Sequence, residues 1–194
     1  MITRTDFALI ATWIKPGSRV LDLGCGDGSL LAHLQQARGV SGYGIENDDA
    51  NLLSAIGSGV NIIQSNLEAG LKEIEDGSFD TVILSKTLQA MRRTENVLDE
   101  MLRVGREAIV TFPNFGYWKH RAQLALGGRM PVSEDLPYQW YNTPNIHLFT
   151  IADFEDYCAQ RGWRVVDRMV LGADGRQTVL PNLLGVLALY RFTR

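Results

Sequence analysis

From position 19 onward the chain alternates between two kinds of apolar spacing. Short continuous apolar runs bounded by turn residues read as buried strands. They are RVLDL (19–23), GYGIE (42–46), VNIIQ (60–64), FDTVILS (79–85) and EAIVTF (107–112). Between them, apolar positions recur at helical spacing. In SLLAHLQQARG (29–39), Leu30, Leu31, Leu34 and Ala37 share one face, and Gly39 stands where a helix-ending glycine would. NDDANLLSAIGSG (47–59) starts on aspartate and ends on glycine. TENVLDEMLRV (94–104) turns Val97, Leu98, Met101 and Leu102 inward. Strands alternating with helices predict right-handed crossovers and a parallel sheet covered on both faces.

After Phe112 the pattern breaks. Residues 113–148 hold four of the six prolines and two of the four tryptophans, and only 118–126 has the look of a short helix. Regular spacing resumes at 150–162, a helix opened by Thr150 and Asp153 as a variant capping box. WRVVDRMV (163–170) and NLLGVLALYRF (182–192) read as two final strands, joined by a connection suited to an antiparallel hairpin. The expected organisation is a single domain, 1–194, carrying 113–148 as an inserted, aromatic-rich segment.

Composition narrows the classes. A chain of 194 residues can bury a substantial core. A net charge of -3 advertises neither nucleic acid nor an anionic membrane as a partner. No apolar run reaches the roughly 18 residues of a membrane helix. The N-terminal stretch MITRTDFALIATWIKPGSRV is too broken by charge for an export signal, so a cytoplasmic location is expected. Cys25 and Cys158 lie far apart and form neither a metal spacing nor a disulfide framework, so no metal site is expected.

The chemistry concentrates in RVLDLGCGDGSLL. Gly24, Gly26 and Gly28, with Cys25 among them, follow a strand and open a helix, where open parallel sheets bind ligands. A dinucleotide fingerprint, G-x-G-x-x-G/A, would place its third small residue at 29. Here Ser29 stands there and the glycine comes one position early. Asp22 precedes the first glycine and would repel a pyrophosphate, whereas it suits a cation. The pattern D-x-G-x-G-x-G therefore favours a nucleoside with a positively charged tail, such as S-adenosylmethionine (SAM); a tight turn without a ligand is the alternative. Glu46 ends the second strand 24 positions after Asp22, near the ~20 expected of a ribose-binding carboxylate. Asn66 and Leu67 follow the third strand, Asn66 with a side-chain acceptor and Leu67 with an apolar surface.

The stretches VLDLGCGDGSLL, GYGIE, FDTVILSKTLQAM, VTFPNFGYWKHRAQLALGGRMP and LPYQWYNTPNIHLFTIADFEDYC together resemble the MetW family of methionine biosynthesis proteins, from about Asp6 to Phe192. The glycine loop is shared by many SAM-dependent methyltransferases, and the aromatic insert is the specific part. The resemblance implies an α/β class I SAM-methyltransferase fold, Rossmann-like, with a seven-stranded, mostly parallel sheet and an antiparallel last strand. It implies a role in methionine biosynthesis alongside homoserine O-acyltransferase, and it brings no methylation substrate. By family position Asp22, Gly24, Gly26 and Glu46 would line a pocket for SAM or S-adenosylhomocysteine (SAH). Asn66 stands where methyltransferase folds usually carry an aspartate for the adenine amino group.

No catalytic residue declares itself, and methyl transfer from a sulfonium is chiefly a matter of positioning. Candidates for a substrate or a partner lie on the rim. Lys86, Thr87 and Gln89 follow the fourth strand; Asn114, Phe115, Tyr117 and Trp118 follow the fifth. The insert adds Tyr138, Trp140, Tyr141, Asn142, Asn145 and His147. Each also has a plain reading: a capping lysine, hydrophobic cover over the sheet edge, a loop histidine. Interface cores favour Tyr, Trp, Met and Arg, so the insert also reads as a docking surface. Three functions stay open: a SAM-binding partner of homoserine O-acyltransferase, a SAM-dependent methyltransferase acting on a small metabolite, and a scaffold that no longer binds SAM. A homodimer is compatible with each.

Overall fold

The apolar run Arg19–Leu23 forms β1 near the middle of an eight-stranded sheet. The structure is a computed structural model that describes residues 5–194. The first four positions of the N-terminal stretch weighed above as an export signal lie outside the described residues. The other strands are β2 (Ser41–Glu46), β3 (Ile62–Gln64), β4 (Phe79–Ser85), β5 (Gly105–Pro113), β6 (Arg164–Gly172), β7 (Gly175–Arg176) and β8 (Leu187–Thr193). Their spatial order is β3-β2-β1-β4-β5-β8-β6-β7. The first five run parallel, and β8 is antiparallel to both β5 and β6.

This is the class I SAM-methyltransferase arrangement, with one strand more than expected. The extra strand, β7, is a two-residue arm folded back on the end of β6. The antiparallel pairing of the last two long strands holds, but the final strand begins later than the sequence suggests. Pro181–Leu184 forms a helical turn, α7, before β8 starts at Leu187.

The helices α2 (Ser29–Arg38), α3 (Asp49–Gly57), α4 (Thr94–Val104) and α6 (Ile151–Gln160) fall where the spacing placed them. Gly39 ends α2 with φ 62°. Asp48 caps α3, accepting from the Asn51 N–H. Thr150 and Asp153 form a reciprocal capping box on α6. Val97, Leu98, Met101 and Leu102 are all buried. Ala37, assigned to the inner face of α2, is exposed and falls in the last turn of the helix. The helix α1 (Thr5–Trp13) has no counterpart in the sequence reading.

Alternate residues of the central strands feed two cores. Leu21, Leu23, Val82, Leu84, Val110 and Phe112 point to the side packed by α4 and α6. Val20, Ile83 and Ile109 point to the side covered by α1 and α2. Asp22 shares the parity of Val20 along β1, since successive strand side chains alternate. The first turn of α1 meets the C-terminal end of β4 through an ion pair, Asp6 to Lys86. Beyond β5, α5 (Trp118–Gly127) is regular, and 128–150 is irregular chain. No helix among the described residues is long and apolar enough to cross a membrane.

Candidate functional site

At the end of β1 the backbone turns back on itself. The Gly24 and Cys25 N–H groups both donate to the Ile45 carbonyl, at 2.8 and 3.1 Å. Gly26 and Gly28 hold φ of 56° and 73°, values that cost a side-chain-bearing residue roughly 1–2 kcal/mol. The two glycines serve different ends. A Cβ on Gly28 would lie 2.6 Å from Val60 Cγ2, so this glycine is required for packing. A Cβ on Gly26 would meet nothing within 4 Å, so here the bare backbone faces open space at the mouth of the loop.

Glu46 organises that loop. The Gly26 N–H donates to its Oε2 at 2.9 Å, and the Asn47 and Asp48 N–H groups donate to its Oε1 at 2.7 and 2.9 Å. A carboxylate has about four lone-pair positions, so one is left for a ligand hydroxyl. Expected from the sequence as a ribose-binding carboxylate, Glu46 has most of its acceptor capacity taken by three backbone donors.

Asp22 is the most unusual group in the site. It is 1% exposed, and neither carboxylate oxygen has a hydrogen-bond partner. Burial, and then the nearby Glu46 charge, push its pKa from the ordinary 3.8 to about 7. A buried carboxylate with no donor is costly unless it is neutral or meets a cation. Open glycine backbone beside an orphaned acid fits a nucleoside with an ammonium or sulfonium tail, so the residues present fit SAM or SAH. In such a complex Asp22 would face the cationic tail, Glu46 a ribose hydroxyl, and Gly26 would let the ligand lie against the backbone.

The other expected pocket residues are placed less directly. Gly24 lies under Thr87, whose side chain would stand 3.0 Å from a Cβ there. Cys25 is buried, and its sulfur would sit 2.4 Å from a Cβ on Gly44. Burial pushes its thiol up to about 12. Its side chain packs beneath the loop against Gly44. Asn66 is exposed and caps the 3-10 turn Leu67–Ala69, accepting from the Glu68 N–H. Leu67 packs partly buried against the core.

The rim residues divide sharply. Asn114, expected to face a substrate, is 0% exposed. Its Nδ2 donates to the Asn182 and Gly185 carbonyls, and its Oδ1 accepts from the Gly116 and Ile151 N–H groups. It is a clasp joining the start of the insert to α6 and to the approach to β8. Tyr117 is likewise buried, edge-on to the His120 ring. Gln89 is buried; its Nε2 donates to the Lys86 carbonyl, and its backbone carbonyl accepts from the Ile146 and His147 N–H groups. Lys86 has φ 53° and ion-pairs through Nζ with buried Asp6 at 2.9 Å. The sequence reading missed Asp6, which carried no motif around it.

Trp118, Tyr138, Trp140 and Tyr141 are exposed, the last two edge-on to each other. Asn142 is exposed and closes a turn with Gln139. His147 is exposed, well apart in role from the loop, and lines a groove against α4 and α6. His120 and Ser133, not singled out before, pin the insert internally at 3.0 Å. The structure thus brings Asp22, Gly26 and Glu46 together. Among the described residues no cluster of three or more His, Cys, Asp or Glu could hold a metal.

The family described as "Methionine biosynthesis protein MetW" matches residues 4–192. A bifunctional methionine biosynthesis protein, MetXA/MetW, from Rhodopirellula baltica is 38% identical over 178 residues, covering 87% of this chain and 29% of that protein. The ubiquinone/menaquinone biosynthesis C-methyltransferase UbiE of Stenotrophomonas maltophilia is 35% identical over 101 residues, 47% of this chain and 39% of that protein. The chain thus spans well under half the length of either relative. Among solved structures, a SAM-dependent methyltransferase from Archaeoglobus fulgidus superposes with a TM-score of 0.74 at 14% identity, covering 100% of this chain and 93% of that one.

Proposed function

The chain belongs to the methionine biosynthesis protein MetW family, and on that premise we propose that it binds SAM or SAH at the loop from Asp22 to Gly28 and acts as the partner of a homoserine O-acyltransferase. Membership of the family gives it a role in methionine biosynthesis. The observation that carries the partner role is the Rhodopirellula baltica relative, whose description joins MetXA and MetW in one bifunctional protein. Two modules on one polypeptide are held at high effective concentration; on separate chains the same association needs a docking surface. Trp140 and Tyr141, 75% and 70% exposed, are the anchors this chain offers. The family's biosynthetic role supports a cytoplasmic setting.

The orphaned Asp22 supports the cofactor reading. When bound, SAM supplies a methyl group activated by its sulfonium. The chain's part is to receive the cation at Asp22, to orient the ribose at Glu46, and to keep the loop open at Gly26. A second reading, methyl transfer to a small metabolite, draws on the likeness to the C-methyltransferase of Stenotrophomonas maltophilia. The two separate in one experiment: the purified chain is passed over a sizing column with homoserine O-acyltransferase from the same organism, with and without SAH. Co-elution supports the partner role. Separate elution, together with conversion of SAM to SAH on adding a small-metabolite fraction, supports the methyltransferase.

A further inference from the structure

A groove of about 520 Å³ opens between the start of α4, α6 and the returning insert near His147 and Phe149. That is the size of a small-molecule site, and it shares no lining residue with the glycine loop. Its floor is apolar. Leu88, Leu98 and Phe154 are at most 3% exposed there.

The rim is charged. Arg92 and Arg93 stand on it, both exposed. Among the described residues neither guanidinium has an ion-pair partner. Asp153 is on the same rim, but its carboxylate already accepts from the Thr150 N–H and Oγ1, each at 2.8 Å. Glu95 and Asp153 match the two cations in number, but neither pairs with a guanidinium, so both arginines keep free donors at the rim. Arg93 also occupies the N-cap of α4 and brings no side-chain acceptor, so the first-turn N–H groups add partial positive charge on that side.

The wall carries a third feature. Tyr157 lines the groove, and its hydroxyl oxygen is shielded from solvent without a hydrogen-bond partner. Burial raises its pKa, so the hydroxyl stays protonated beneath the wall's surface. Unpaired guanidinium groups at the rim and an apolar floor describe one kind of occupant. We propose that this groove is a second small-molecule site, taking an amphipathic anion: a carboxylate or similar acidic head on an apolar body. This goes beyond the function proposed above and does not depend on it.

The test is a fluorescence titration of the full chain with 1-anilinonaphthalene-8-sulfonate, whose fused rings and sulfonate match the groove, with SAH in excess throughout. The dye should saturate one site and be displaced by octanoate, not by octanol. Arg92→Glu combined with Arg93→Glu should weaken binding by about tenfold or more, because charge-assisted contacts are the stronger ones. Trp140→Ala should leave it unchanged. An unchanged affinity in the charge-reversed variant, or displacement by octanol as effective as by octanoate, would overturn the proposal. A loss in Trp140→Ala alone would also overturn it, by placing the dye on the insert.

Discussion

Glu46 and Gly26 hold each other across the sheet: the Gly26 N–H donates to Glu46 Oε2 at 2.9 Å, from the loop after β1 to the end of β2. Two further backbone N–H groups share that carboxylate. Glu46→Gln would turn one acceptor oxygen into an amide donor facing an N–H. The expected result is a loss of about 1–3 kcal/mol in urea denaturation. SAH should also bind more weakly by about tenfold in calorimetry, since one mismatched polar contact is worth about 1.4 kcal/mol. An unchanged SAH affinity would separate Glu46 from the ligand.

Asp22 makes both stability and binding depend on pH. Its folded pKa, about 7, lies above its ordinary 3.8, so between those values the folded chain holds a proton that the unfolded chain has released. Stability from this group is fully present below about pH 4 and is lost as pH rises through 7. A cationic ligand favours the charged form, so SAM affinity should rise between pH 6 and 8, by no more than tenfold per unit. Asp22→Asn should flatten both profiles, leave the ligand-free chain more stable than the parent at pH 8, and weaken SAM binding. Parallel pH profiles for parent and variant would show that Asp22 does not meet the cation.

The Asp6–Lys86 pair ties α1 to the end of β4. Asp6 is 1% exposed and the lysine 38%, so Lys86→Ala leaves a buried carboxylate without its cation. The expected cost is about 1–2 kcal/mol, below the ~3–5 of a fully buried pair because water reaches the lysine. Adding Asp6→Asn should recover most of it. A double variant as unstable as the sum of the single ones would mean the pair contributes no coupling.

Asn114 should behave as a structural clasp. Asn114→Ala leaves two carbonyls and two N–H groups without their partner, and the expected loss is on the order of 2–4 kcal/mol. At a temperature where the variant stays folded, its SAH affinity should match the parent's. A selective loss of affinity would put Asn114 back in the binding site.

What the sequence revealed, and what it hid, follows from the range of the interactions. The strands, the capping box at Thr150 and Asp153, and the glycine turn are local in cause, and each was readable from a few neighbouring residues. Asn114 was not, because its partners at 182 and 185 lie some 70 positions away and nothing near it marks a clasp. The helix α1 was missed for another reason. Apolar residues occur all round TDFALIATW, and Phe7, Leu9 and Trp13 are only partly buried, so no face stands out. That Asn66 caps the 3-10 turn through the Glu68 N–H was hidden as well, since nothing before it marks the turn. The nearness of Asp22 to Glu46 was legible because the two carboxylates stand near the ends of adjacent parallel strands. The share of Glu46 already used by backbone donors was not, since it depends on how the loop closes in space.

The measurement that bears most directly on the proposed role is the rate of homoserine acylation by the organism's own homoserine O-acyltransferase, with and without this chain at matched concentration. The account predicts that the rate rises when the chain is present, and that Trp140→Ala with Tyr141→Ala removes the increase while leaving the fold intact. A rate unaffected by the chain at any ratio, with or without SAM, would contradict it.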